Sequence, residues 1–143
     1  MIAVDTNILV YAEIVTSARH AQARALLRSL AEGAAAWAIP WPCAYEFLRV
    51  VTHPRVFDRP VPAEVARRDL LSILGSPSLR LLAETGRHAE VMDAVLRQSA
   101  VAGNLVHDAH IAALCLEHGV SELVTGDRDF GRFEGLRIRD PFR

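Results

Sequence analysis

Four acidic residues stand where a carboxylate is either costly or well placed to meet another. Asp5 directly follows the apolar run Ile2-Ala3-Val4, and Asp127 comes two residues after Val124-Thr125. Both positions are carboxyl ends of strands, beside the crevice in which open parallel sheets bind their ligands. Asp108 falls within a helical pattern. At about 100° per residue it shares a stripe with Ile111, Ala112, Cys115 and Gly119, so it points into the apolar face. Glu46 lies on another helix-forming stretch, with Cys43, Arg49, Val50 and His53 on its side. Singly, each acid has an ordinary explanation. Asp5 and Asp127 suit turns, and Gly126-Asp127-Arg128-Asp129 is a good turn sequence. Glu46 can pair with Arg49 at i,i+3, and an anion in the first turn of a helix, as at Asp108, is favoured by the helix dipole.

Together they point to chemistry. A carboxylate facing a core is paired, protonated or bound to a cation. Four of them converging would repel by roughly 3 kcal/mol per pair at about 5 Å and an effective dielectric of 20. Divalent cations relieve that repulsion, and an all-oxygen donor set suits Mg2+ or Mn2+ better than zinc. A metal held this way lowers the pKa of bound water and neutralises a phosphate, which makes phosphodiester hydrolysis the natural reaction.

The elements that must position these acids follow from punctuation and periodicity. Strands are expected at Ile2–Val4, residues 35–39, Leu79–Leu82, residues 122–125 and, at an edge, residues 136–138. Helices are expected after Thr6-Asn7, over about 18–32, from Pro42 to about Thr52, over Ala63–Leu74, over about 87–98, and over about 105–118 with Asn104 as N-cap and Gly119 as stop. Strands alternating with helices of about a dozen residues imply right-handed crossovers. The fold class is therefore α/β, a three-layer sandwich with a central parallel sheet of about five strands flanked by helices.

With 143 residues, 51% of them hydrophobic and 23% charged, the chain reads as one domain over 1–143. A chain of this size buries about 68–70% of its unfolded surface, so its core needs neither disulfides nor a structural metal. Cys43 and Cys115 form no CxxC pattern and read as reduced core thiols. The first residues lack a basic region, and the uncharged stretch from Gly33 to Tyr45 is interrupted by Pro40 and Pro42, so a soluble, cytoplasmic protein with no membrane segment is expected. All sixteen basic residues are arginine. The absence of lysine excludes a GK[ST] phosphate loop and Schiff-base chemistry. It also counts against a haloacid-dehalogenase-like phosphatase, which further wants a second acid where Asn7 stands.

Among the histidines, His110 lies about 160° from Asp108 around the helix, on the face of Glu117, and reads as solvated rather than as a ligand. His107 is nearer but off the stripe. His53 shares the face of Glu46, and a structural part in the His53-Pro54 turn is the better reading. The formal net charge of −1 is no bar to a polyanionic substrate. Once metal neutralises the four acids the remainder is positive, and Arg49, Arg55, Arg59, Arg128 and Arg132 could rim the site.

The segments Ile2-Ala3-Val4-Asp5-Thr6-Asn7-Ile8-Leu9, Glu46-Phe47-Leu48-Arg49, His107-Asp108-Ala109-His110-Ile111-Ala112-Ala113 and Leu123-Val124-Thr125-Gly126-Asp127-Arg128-Asp129-Phe130 together resemble the PIN domain. Within it they resemble the VapC ribonuclease toxins of bacterial toxin–antitoxin pairs. The resemblance runs nearly end to end and rests on order and spacing more than on any one tetrapeptide. It implies a PIN-like sheet, Mg2+- or Mn2+-dependent endonucleolytic cleavage of RNA, a homodimer, and neutralisation by a cognate VapB-like antitoxin. By position it implies Asp5, Glu46, Asp108 and Asp127 as the catalytic, metal-holding acids, with Asp129 a rival to Asp127. Asn7 and Thr125 would orient carboxylates. Of the arginines that local charge places at the rim, Arg49, Arg55 and Arg128 are the candidates for RNA contact. The alternative is a catalytically silent PIN-fold module that binds RNA or antitoxin. The helices following Thr6 and over about 18–30 offer apolar surfaces for an antitoxin helix and a second copy.

Overall fold

The computed structural model describes all 143 residues. In chain order the elements are β1 (Ile2–Val4), α1 (Thr6–Glu13), α2 (His20–Glu32), β2 (Trp37–Pro40), α3 (Trp41–Val51), α4 (Ala63–Leu74), β3 (Leu79–Leu82), α5 (His88–Ser99), α6 (Leu105–Glu117), β4 (Glu122–Val124), a 3-10 turn (Arg128–Arg132) and β5 (Arg137–Arg139). The five strands form one sheet in the order β3-β2-β1-β4-β5, with every neighbouring pair parallel. Helices flank it, as the alternation of strand and helix required.

Order reverses at β1. Its Ile2 pairs with Trp37 of β2 on one side and with Glu122 of β4 on the other. The chain leaves β1 and β4 in opposite directions around the sheet, so a crevice opens at their carboxyl ends. Asp5 N–H still donates to Val124 O at 3.0 Å, and Thr125 N–H to Arg139 O at 3.0 Å. The backbone that presents the first and last acids is therefore held by the ladder itself.

One core of 30 buried residues joins the layers. Trp37, Phe47, Phe130, Ile8 and Leu9 are among its largest fully buried side chains. In β2 all four residues are buried, because a central parallel strand has helices over both faces.

Several boundaries differ from the sequence reading, each for a local reason. Asp5, rather than Thr6 or Asn7, is the N-cap of α1, since β1 runs straight into the helix. α2 begins at His20, after turns closed by Ser17 N–H to Ile14 O and His20 N–H to Ser17 O. Asn104 occupies the N-cap position of α6 but takes a helical backbone conformation and makes no capping bond. α5 ends at Ala100, which adopts a left-handed conformation at φ 47°. Gly119, at φ +68°, ends α6 as expected: Val120 N–H reaches back to Cys115 O at 2.9 Å, a closure that favours a residue without Cβ. No helix is long and apolar enough to cross a membrane.

Candidate metal centre

The site is built outward from Asp5, whose residue is only 5% exposed. Its Oδ1 accepts from Thr6 N–H at 2.7 Å, which caps α1, and the Cys43 thiol lies 3.7 Å from the same oxygen. Its Oδ2 accepts from Thr125 Oγ1 at 2.7 Å and from Asn7 Nδ2 at 3.0 Å.

Thr125 is saturated. Its hydroxyl donates to Asp5 and accepts from Asn7 Nδ2 and from Asp127 N–H, both at 3.0 Å. One donor and two lone pairs are thus all engaged. Asn7 spends both amide protons on Asp5 and Thr125, and its Oδ1 accepts from Gly126 N–H at 3.2 Å. These two side chains stitch the end of β1 to the end of β4 and leave Asp5 no rotamer to explore.

Burial pushes the Asp5 carboxyl above its ordinary range, the bonds from Thr125 and Thr6 pull it back, and the charge of Asp127 raises it again. Asp108, half-buried on α6, is raised from 3.8 to about 6. Burial is the largest cause, followed by the charges of Asp127, Asp5 and Asp129, while His107 acts in the opposite sense. Helical periodicity brought Asp108 to this face, and the strand ends brought the others opposite it. The ligand atoms of Asp108, Asp127 and Asp129 all lie within 4.8 Å of one another. Asp127 accepts from Asp129 N–H at 2.9 Å and so caps the 3-10 turn that carries its neighbour. The loop presents both acids to Asp108 rather than one in place of the other.

Asp5, Asn7, Glu46, Asp108 and Asp127 line a single cleft of about 390 Å3, with His107, His110 and Tyr11 also on its wall. Glu46 is engaged: Arg49 Nε donates to its Oε2 at 2.9 Å and Arg49 Nη2 to its Oε1. This is the i,i+3 pair that the sequence allowed, and the guanidinium holds the Glu46 carboxyl below its ordinary range. Arg55 and Arg128 are exposed and are not among the residues that line the cleft. His53 accepts from Arg55 N–H at 3.0 Å through Nδ1, a bond within its own turn.

His110 departs from expectation. It is half-buried, lines the cleft, and its Nε2 lies 2.6 Å from Glu84 Oε1. The loop after β3 covers the helix face that periodicity alone assigned to solvent. Tyr11 and Arg19 were also missed. The Arg19 guanidinium stands over the rings of Tyr11 and Phe142, 5.2 and 4.8 Å from their centroids, and donates to the Tyr11 hydroxyl at 3.1 Å. No local pattern signals an arginine that stacks on the chain's penultimate residue.

The donors that converge here are carboxylate oxygens, and Asp5 and Asp108 are held above their ordinary pKa, first by burial and then by the charges of neighbouring acids. Hard divalent cations such as Mg2+ or Mn2+ fit that set.

The family model for the PIN domain matches residues 2–136. The chain belongs to the PIN-domain family. This PIN domain is 38% identical over 138 residues to Ribonuclease VapC48 of Mycobacterium tuberculosis, an alignment covering 96% of this chain and 95% of that one. It is 39% identical over 138 residues to Ribonuclease VapC37 of the same organism, with the same shares covered. It is therefore a VapC-type PIN domain. Among solved structures, VapBC2 from Rickettsia felis bound to a promoter DNA fragment superposes with a TM-score of 0.70 at 22% identity, covering 97% of this chain and 98% of that one. FitAcB from Neisseria gonorrhoeae gives 0.72 at 19% identity, covering 100% and 99%. At those identities the structures speak for the fold, and the curated relatives for the family.

Proposed function

We propose that this PIN domain is a toxin endoribonuclease that cleaves RNA phosphodiester bonds with Mg2+ or Mn2+ and is neutralised by a cognate VapB-like antitoxin. The observation that carries the reading is a buried, rotationally locked Asp5 sharing one cleft with Asp108, whose carboxyl is raised to about 6 by burial and by the neighbouring acids. A structural salt-bridge network would pair such charges. Here Glu46 pairs with Arg49 and Asp129 with Arg132, but Asp5, Asp108 and Asp127 form no ion pair and face one another.

In this reading Asp5, Asp108, Asp127 and Glu46 hold the cation, and Asp129 joins them beside Asp127. When bound, the ion supplies charge neutralisation for the scissile phosphate and a lowered pKa for an attacking water. The chain's own contribution is preorganisation. Thr125 and Asn7 hold both the Asp5 carboxylate and the Asp127 backbone, so the donors need not reorganise when a substrate arrives. Release of Glu46 from Arg49 frees a carboxylate for the ion and a guanidinium for a phosphate. Arg49, Arg55 and Arg128 are our candidates for RNA contacts, all three from outside the cleft lining and Arg49 through its pairing with Glu46.

The relatives named as ribonucleases support RNA as substrate. The similar structures, VapBC2 from Rickettsia felis and a toxin–antitoxin complex from Klebsiella pneumoniae, support an antitoxin partner. A second groove of about 530 Å3, whose lining mixes the apolar Leu9, Leu27 and Ile73 with the charged Glu13, Arg24 and Asp69 of α1, α2 and α4, shares no lining residue with the acidic cleft and is our candidate seat for an antitoxin segment. A homodimer and a cytoplasmic location complete the proposal.

The test is cleavage of RNA by tag-free protein with Mn2+, alongside growth arrest on induction. Asp5→Asn and Asp108→Asn should each reduce cleavage by about 10²-fold or more while leaving a cooperative melt. Undiminished cleavage by either purified variant refutes the reading.

A further inference from the structure

A second group of metal-competent side chains lies outside the acidic centre, and its chemistry differs. We propose that Glu84, His88 and His110 form a binding site for a zinc-like transition-metal ion that clips the loop after β3 onto α6.

The ligand atoms of these three residues lie within 4.8 Å of one another. The His88 and His110 rings meet edge to face, with centroids 5.5 Å apart and planes at 66°. His110 Nε2 already faces Glu84 Oε1 at 2.6 Å, so an ion would replace the proton these atoms share.

Glu117 supplies an independent observation. Its side chain is 0% exposed, a fully buried carboxylate, and its Oε1 lies 2.9 Å from His88 Nδ1. Its other oxygen accepts from Thr85 Oγ1 at 3.1 Å. A carboxylate on Nδ1 selects the tautomer whose bare Nε2 is the metal-ligating nitrogen.

The loop is built before any ion arrives. His88 N–H donates to Thr85 O at 3.0 Å, Arg87 N–H to Thr85 Oγ1 at 3.1 Å, and His118 Nε2 lies 2.7 Å from Ala83 O. His110 and Glu117 are seven residues apart on α6 and so share one helix face. Side chains along α6 thus grip both ends of the Ala83–His88 segment, and little ordering remains to be done on binding.

Two imidazoles and a carboxylate suit Zn2+, Co2+ or Ni2+ and leave a fourth position for water in a tetrahedral site. Glu84 and Glu117 carry two negative charges that a divalent ion neutralises. Mg2+, which prefers oxygen donors, is not expected here. His110 lies two residues from Asp108 on α6 and reaches the wall of the acidic cleft, so occupancy would steady the turn of helix that carries Asp108. The site does not depend on the cleft's being a nuclease.

The test uses tag-free, chelator-stripped full-length protein carrying Asp5→Asn and Asp108→Asn, which silence the acidic centre. This protein should bind one equivalent of Zn2+ by calorimetry, melt at a higher temperature with Zn2+, and give the visible bands of four-coordinate cobalt when titrated with Co2+. Adding His88→Gln and His110→Gln should abolish all three responses while the metal-free melt stays cooperative. Glu84→Gln, which changes no ring packing, should weaken Zn2+ binding at least tenfold and serves if the double histidine variant fails to fold. The proposal is overturned if the Asp5→Asn/Asp108→Asn protein binds no Zn2+. It is equally overturned if one-equivalent binding and the cobalt bands survive loss of both histidines or, where those variants do not fold, if Glu84→Gln leaves the Zn2+ affinity unchanged.

Discussion

Replacing Asp108 by asparagine should make the metal-free protein more stable, an unusual outcome for a half-buried polar residue. The folded-state pKa of Asp108 is about 6 against an ordinary 3.8, so the fold disfavours the ionised form. That cost is absent below about pH 4, grows as pH rises toward 6, and is complete above it. At 1.36 kcal/mol per unit the rise corresponds to about 3 kcal/mol. The carboxylate is only partly buried, however, and solvent screening brings the realisable figure to ~1 kcal/mol. For a chain of this size that is about 3 °C in melting temperature. Thermal melts of chelator-treated wild type and Asp108→Asn at pH 7.5 should therefore differ by about 3 °C in favour of the variant, and the difference should vanish by about pH 4. Adding Mn2+ should reverse the order at pH 7.5, because only wild type gains ligand-linked stability. A variant that melts several degrees lower without metal, or that keeps the full Mn2+ stabilisation, would show that Asp108 is held by contacts other than the acids around it.

Three further outcomes follow from the same geometry. Thr125→Val keeps the shape but strands Asp127 N–H and one bond to Asp5; urea denaturation should show a loss of about 2–3 kcal/mol, and an unchanged midpoint would remove Thr125 from its bridging place. Arg49→Ala should leave stability within about 0.5 kcal/mol, since the pair is largely exposed, and tighten Mn2+ binding by roughly 2–5-fold as Glu46 is released; calorimetry showing weaker binding would contradict this. In the second groove, burial and then Asp69 raise Glu13 from 4.5 to about 7. Asp69→Asn should accordingly raise the urea midpoint at pH 8 but not at pH 4, and equal effects at both would show that the two acids do not interact.

Much of this arrangement was legible in the sequence because it depends on local rules. A short apolar run ending in an acid gives a strand end, and two such ends on neighbouring parallel strands must be close. The stripe on α6 placed Asp108 on the inward face with no tertiary information. What escaped needed contacts between distant segments. Thr125 could be named from family resemblance, but its saturation by Asp5, Asn7 and Asp127 appears only when β1 and β4 pair. His110 was assigned to solvent because helix periodicity does not register the loop after β3, which edge placement of that strand brings across α6. Arg19 falls within the helix expected over about 18–32, yet it precedes α2 and stacks on Phe142, more than a hundred positions away. Asp129 and Asp127 could not be separated by spacing, and the 3-10 turn shows why: capping by Asp127 presents both.

For the proposed chemistry the acidic cleft must hold a divalent ion. Anomalous scattering from crystals grown with Mn2+ tests this most directly, since it locates the ion without reference to activity. A peak bounded by Asp5, Asp108 and the Asp127–Asp129 turn, absent from Asp108→Asn crystals, is the predicted result. A cleft without a peak at saturating Mn2+, or a peak that persists unchanged in Asp108→Asn, would contradict it.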